Sequence, residues 1–142
     1  MNTVGIYLNF LGNTETVFEF YKSIFGGEFK MLQRFDSIPD ADKMNADDRN
    51  KIMHICLPLT EHVELMGTDA LQNQGHTITM GNNINISINA ISEAEADKLY
   101  NGLAVNGVVE MPLQKTFWNA YFGMLTDQYG IKWMVNYDYP TE

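Results

Sequence analysis

Residues 83–107 read NINISINAISEAEADKLYNGLAVNG. Ile84, Ile86 and Ile88 alternate with Asn85, Ser87 and Asn89, the period of two expected of a strand with one aliphatic and one small polar face. Ser92-Glu93-Ala94-Glu95 then forms a capping box, in which the serine hydroxyl takes an amide of the first turn and the glutamate reaches back. The helix it starts carries Ala96, Leu99, Tyr100 and Leu103 on one face and runs to about Val105, and Asn106-Gly107 stops it. Strands follow at Val108–Leu113, Phe117–Leu125 and Ile131–Tyr137, the last two joined by the turn Asp127-Gln128-Tyr129-Gly130.

The same order stands in the first half. Thr3–Phe10 is β-rich and ends at Gly12-Asn13. Thr14–Phe25 is a helix by its stripe of Val17, Tyr21, Ile24 and Phe25, and Gly26-Gly27 ends it. Strands are expected at Glu28–Phe35, Ile52–Leu59 and Val63–Met66, with a polar loop over 36–50. The order is thus βαβββ twice, and a repeat fixes architecture even at low identity between its halves. The expected fold is α+β: one domain over 1–142, with modules at 1–67 and 83–142 and a linker at 68–82, forming a curved mixed sheet around a cleft. Such a cleft is a usual place for a small-molecule site.

Composition narrows the function. The 142 residues carry a formal net charge of −9 with nine scattered basic residues, which argues against nucleic-acid binding. No apolar run approaches the ~20 residues of a membrane span, and the N-terminus lacks a signal-peptide pattern. The single cysteine, Cys56, has no partner for an internal disulfide, so a cytoplasmic location is expected. Cys56 lies in the apolar run Ile55-Cys56-Leu57 and reads as a small buried hydrophobe.

The candidate ligand contacts are His54, Glu64, Asn85, Ser87 and Trp118. His54 in its strand suits a hydrogen bond or a proton transfer. Asn85, Ser87 and Asn89 form a polar row on one strand face, and Asn85 and Ser87 are expected to face the cleft. Phe117, Trp118, Tyr121 and Phe122 form an aromatic cluster, of which one alternating set packs on a helix and the other lines the cleft or a dimer contact. Met66, Met111, Met124 and Met134 fall in the expected strands; gap-filling in the core and an adaptable pocket lining are both open to them. Five aspartates in 36–50 do not match the spacing of a calcium loop, and that segment has no glycine; a mobile loop over the pocket mouth is expected instead.

Several stretches resemble the vicinal oxygen chelate superfamily (glyoxalase, bleomycin-resistance and extradiol dioxygenase proteins), and within it the PhnB-like branch. They include Tyr7-Leu8-Asn9-Phe10-Leu11-Gly12-Asn13, Ile52-Met53-His54, Leu65-Met66-Gly67-Thr68-Asp69, Met111-Pro112-Leu113, and Asp127-Gln128-Tyr129-Gly130-Ile131-Lys132-Trp133. The resemblance implies paired βαβββ modules and a homodimer, and leaves the reaction open. The superfamily's enzymes hold a divalent ion with His and Glu from four strands. Carried onto this chain, those positions fall near Ile6 (with Leu8 on its face), at Glu64 or Met66, near Asn85, and near Met134 with Lys132. One carboxylate and one amide do not make a transition-metal site, so no catalytic metal and no cofactor are expected. The branch is sometimes labelled 3-demethylubiquinone methyltransferase-like, but a methyltransferase needs a Rossmann-type cofactor unit that this element order does not provide. The expected function is therefore small-molecule binding without a catalytic metal. The alternative is a metal-dependent glyoxalase-like lyase or isomerase, or a dioxygenase, with Glu64 as one ligand.

Overall fold

The computed structural model describes residues 1–141. The chain divides into two compact units, Met1–Thr79 and Met80–Glu142. The first contains β1 (Val4–Phe10), α1 (Thr14–Phe25), β2 (Met31–Arg34), α2 (Ala46–Asn50), β3 (Ile52–Pro58) and β4 (Val63–Asp69). The second contains β5 (Ile86–Asn89), α3 (Glu93–Ala104), β6 (Val108–Lys115), β7 (Ala120–Thr126) and β8 (Lys132–Asp138). Each sheet has four strands, ordered β1-β4-β3-β2 and β5-β8-β7-β6. The β1–β4 and β5–β8 pairs are parallel and the others antiparallel. The fold is α+β, with two βαβββ units in tandem and open mixed sheets.

Each helix packs its apolar stripe on one face of its own sheet. On α1, Val17, Phe18 and Tyr21 are fully buried and Ile24 nearly so; burying each such side chain contributes roughly 1.5–3 kcal/mol. The helix ends at Gly26, φ 79°, whose N–H donates to Lys22 O at 2.8 Å. On α3 the capping box forms as the sequence suggests. The Ser92 hydroxyl accepts from Glu95 N at 3.0 Å, and Glu95 Oε1 accepts from Ile91 N at 3.2 Å. Two glycines let the helices approach their strands. A Cβ on Gly67 would stand 2.6 Å from the Phe18 ring, and one on Gly123 would stand 2.7 Å from Tyr100 and 2.9 Å from the Leu113 backbone.

Some boundaries differ from those read in the sequence. β5 covers only Ile86–Asn89, because its sole partner β8 begins at Lys132 and leaves Ile84 unpaired and 75% exposed. β4 runs to Asp69 because β1 pairs with it as far as Phe10. Phe117, Trp118 and Asn119 form the tip of the β6–β7 hairpin, with Asn119 at φ 65°. Thr116 closes that turn: its N–H donates to Ala120 O, and its hydroxyl accepts from Ala120 N. Residues 36–50 hold two 3₁₀ turns and α2. Asp48 anchors them, accepting from Lys51 Nζ at 2.9 Å and Asn73 Nδ2 at 3.1 Å.

Asp69, 3% exposed, ties the first unit together. Its Oδ1 accepts from Gly12 N and Thr14 N, both at 3.0 Å, and its Oδ2 from Ile52 N at 2.8 Å. One carboxylate thereby joins the end of β4, the start of α1 and the start of β3. Asp127 does similar work in the second unit, accepting from Tyr129 N, Ile131 N and Trp133 Nε1.

Two stability outcomes follow. Gly123→Ala forces a methyl against backbone and should cost about 1–3 kcal/mol of unfolding free energy in urea; an unchanged midpoint contradicts the close approach of Tyr100. Asp69→Ala strands the buried amides of Thr14 and Ile52 and the part-buried one of Gly12, and should cost at least about 2 kcal/mol; a loss below about 1 kcal/mol shows that those amides find other partners.

Candidate functional sites on the helix-free sheet faces

Alternation along each strand sends every second side chain away from the helix. Gly67 meets Phe18 of α1 and Gly123 meets Tyr100 of α3, so Glu64, Met66 and Thr68 on β4 and Phe122, Met124 and Thr126 on β7 point to the opposite, helix-free faces. The pairings extend these faces across each sheet. Gly5 lies beside Glu64 and Tyr7 beside Met66; Cys56 lies beside Met66 and Met31, and His54 beside Gln33.

On the first face Tyr7 Oη and His54 Nδ1 are hydrogen-bonded at 3.2 Å, with ring centroids 5.6 Å apart. Glu64, with its side chain 15% exposed, accepts from Lys30 Nζ at 2.8 Å. This hydrogen bond to the ammonium, reinforced by one from Cys56 and by charge attraction, holds the Glu64 carboxyl below its ordinary range. The same carboxylate raises Lys30. Burial, together with the neighbouring Glu64, pushes the Cys56 thiol up. Cys56 is buried, as the sequence suggested, and its raised pKa makes it a poor nucleophile.

The second face follows the same plan. Met124 lies beside Met111 and Met134, and Ser87 beside Met134. Lys132, at the β8 position that Glu64 holds in β4, donates to Glu110, which also accepts from the Thr126 hydroxyl. Lys30–Glu64 and Glu110–Lys132 are thus equivalent cross-sheet ion pairs with their charges exchanged. Asn136 Nδ2 donates to Asn89 Oδ1 at 3.4 Å. Ser87 is exposed on the helix-free face. Asn85 precedes β5, and its Oδ1 is buried with no hydrogen-bond donor. Trp118, 52% exposed, packs edge-on against Phe122 at 6.0 Å, and Phe117, 96% exposed, packs against Trp118 at 4.9 Å.

His54 and Glu64 therefore share the first face, while Ser87 lies on the second and Trp118 reaches it through Phe122. The first-strand assignment needs correction. Ile6 and Leu8 lie on the helix side, and Gly5 and Tyr7 are the residues beside Glu64 and Met66. A slip of one residue had turned that strand over; the alternation of buried Leu8 and Phe10 with exposed Tyr7 and Asn9 carried the signal. Lys30 and Glu110 were also missed, because each precedes or interrupts a regular ladder.

These residues do not fit a divalent ion. Glu64 already holds an ammonium, while the β8 position offers Met134 beside Lys132. Among the described residues, no three His, Cys, Asp or Glu are grouped as ligands, and a catalytic site of this kind takes three good ones. Two hollows of ≈ 390 and ≈ 330 Å³ lie elsewhere, one among Ile38, Met44 and Asp48 and one among Gly12, Glu15 and Asp69. The carboxylates Asp48 and Asp69 that line them are engaged by the local hydrogen bonds described above, so neither hollow displaces the sheet faces as candidate.

Residues 2–136 match the family model described as 3-demethylubiquinone-9 3-methyltransferase. The structure is similar to that of protein PA1353 from Pseudomonas aeruginosa, at 37% identity and a TM-score of 0.83 over 97% of this chain and 98% of that one. It is similar to a putative 3-demethylubiquinone-9 3-methyltransferase, PhnB protein, from Bacillus cereus, at 25% identity and a TM-score of 0.75 over 94% and 98%. It shares its fold with a glyoxalase/bleomycin resistance protein/dioxygenase family enzyme from Burkholderia phytofirmans PsJN, at 14% identity and a TM-score of 0.60 over 97% and 98%.

The Glu64–Lys30 pair predicts a pH signature. The folded pKa of Glu64 lies below its unfolded value, so its contribution is complete above the unfolded value of about 4.3 and fades as pH falls through the folded one. Wild type should therefore exceed Glu64→Gln in unfolding free energy at about pH 6, and the difference should shrink as the pH falls below the unfolded value. A difference that does not change with pH rules out the ion pair as its source.

Proposed function

The chain belongs to the PhnB-like family of the vicinal oxygen chelate fold, and on that premise we propose that it binds a small molecule on its helix-free sheet faces without a catalytic metal. The observation that carries this is the engagement of Glu64, the one carboxylate at a family ligand position, by Lys30 at 2.8 Å. That pairing suits a carboxylate used for hydrogen bonding and positioning rather than for holding a divalent ion.

His54, hydrogen-bonded to Tyr7, is the polar contact of the first face, and Glu64, held by Lys30, is its carboxylate. Asn85, Ser87 and Trp118 are the contacts of the second: an amide oxygen without a donor, a hydroxyl beside Met134, and an indole fixed by Phe122. The methionines between them give an apolar floor that adapts to shape. In this proposal the protein is a homodimer as its superfamily implies, and it works in the cytoplasm, where a lone thiol stays reduced. The methyltransferase activity named in the family's description has no support in the fold, since each open sheet contains only one parallel pair and a Rossmann-type cofactor unit is mostly parallel. No helix among the described residues is long and apolar enough to cross a membrane.

Thermal unfolding against a broad panel of metabolites and antibiotics tests the proposal. A ligand at a hundred times its Kd should stabilise the fold by about 2.7 kcal/mol, a rise of several degrees in Tm. His54→Ala and Trp118→Ala should reduce that rise, and Lys98→Ala, on the outer side of α3, should leave it intact. A panel that shifts nothing, or a shift indifferent to both face variants, contradicts the assignment.

A further inference from the structure

Nine methionines and one cysteine are the only sulfur-bearing side chains of the chain, and six of these ten stand in two cross-strand rows. Met31, Cys56 and Met66 cross β2, β3 and β4. Met111, Met124 and Met134 cross β6, β7 and β8. The rows occupy the same place in each sheet, one residue before the helix-facing Leu57 and Leu125 and one after the helix-facing Leu65 and Trp133. Both lie on the helix-free faces, where packing against the unit's own helix does not select them.

We propose that the row Met111–Met124–Met134 is a binding site for a soft monovalent cation of the copper(I) and silver(I) type. Three neutral thioethers are poor ligands for hard or borderline divalent ions and good ones for soft d¹⁰ ions. Met124 and Met134 are directly paired in an unbroken ladder, which sets Cα atoms about 4.5–5.5 Å apart, and Met111 is held opposite Met124 between two register shifts. From that spacing an unbranched side chain with three rotatable bonds can bring its sulfur to a common point.

The backbone beneath the row is fixed. Tyr100, 5% exposed, places its hydroxyl 2.9 Å from Met111 O and 3.2 Å from Met124 O, across the bulge that sets Met111 opposite Met124. Met111 is 40% exposed and gives the ion an entry, while Met124 and Met134 are half-buried. Lys132, two residues before Met134 on β8, is neutralised by Glu110, and the net charge of −9 favours cation approach. The first row is less suited. Its central sulfur is a buried thiol rather than a thioether, and the Met66 methyl lies over Gly5, 2.2 Å from where a Cβ would stand.

Silver(I), the redox-inert member of the pair, is the probe, titrated in chloride-free buffer into Cys56→Ala protein with ¹³C-labelled methionine methyls. One equivalent should shift the methyl signals of Met111, Met124 and Met134 together, with the signals of exposed Met1 and Met80 unmoved. Met134→Leu keeps the volume and should preserve the unfolding curve. It should lose at least the ~10-fold in silver affinity that even an outer-shell change costs a metal site. Shifts confined to Met1 and Met80, no saturable shift, or full silver affinity in Met134→Leu each overturn the site. These outcomes are independent of ligand-induced melting shifts, so failure here leaves the small-molecule assignment standing.

Discussion

Leu57 packs beside Leu65, and Leu125 beside Trp133. All four are fully buried on the helix side of their sheets. Because side chains alternate along a strand, these two pairs decide where every other residue of the central strands points. They turn Glu64, Met66, Cys56 and His54 away from α1, and Lys132, Met134, Met124 and Phe122 away from α3. The hydrophobic driving force on one face thereby arranges the polar chemistry of the other. Gly67 and Gly123 serve the same end by letting the Phe18 and Tyr100 rings reach the strands.

The two faces share a plan in which chemistry is kept while residues change. At the start of β4 and of β8 stands one half of an ion pair, a carboxylate in the first unit and an ammonium in the second. A sulfur row follows in each sheet. Beyond it come polar side chains: Gln33, His54 and Asn9 on the first face, and Gln114, Asn136 and Asn89 on the second. Exchanging the charges of an ion pair preserves its attraction while removing any sequence identity at those positions. That is one physical reason why the repeat shows in element order and scarcely in residue identity.

The order of elements was legible in the sequence because it rests on local signals: the Ser92–Glu95 capping box, the helix stops at Gly26 and Asn106-Gly107, and the Ile86–Ile88 alternation. The site was legible only in part. The sequence places His54 and Glu64 in strands, and the structure puts both on the first helix-free face. Tyr7 was missed by a register error of one residue, which no local propensity penalises. Lys30 lies outside β2, and the bulges of β6 break the count around Glu110. Trp118 lies at a hairpin tip, where strand alternation no longer assigns a face. Asp69 and Asp127 were passed over because buried carboxylates that serve backbone amides carry no sequence motif of their own.

In the proposed reading this PhnB-like family member binds a small molecule on its helix-free faces without a divalent ion. Elemental analysis of the untagged protein, before and after incubation with zinc, nickel, manganese and iron(II), tests it most directly. The structure predicts no stoichiometric divalent metal in either sample, since Lys30 occupies the Glu64 carboxylate and Lys132 stands beside the β8 position. About one tightly held ion per chain would contradict the account and make Glu64 a metal ligand.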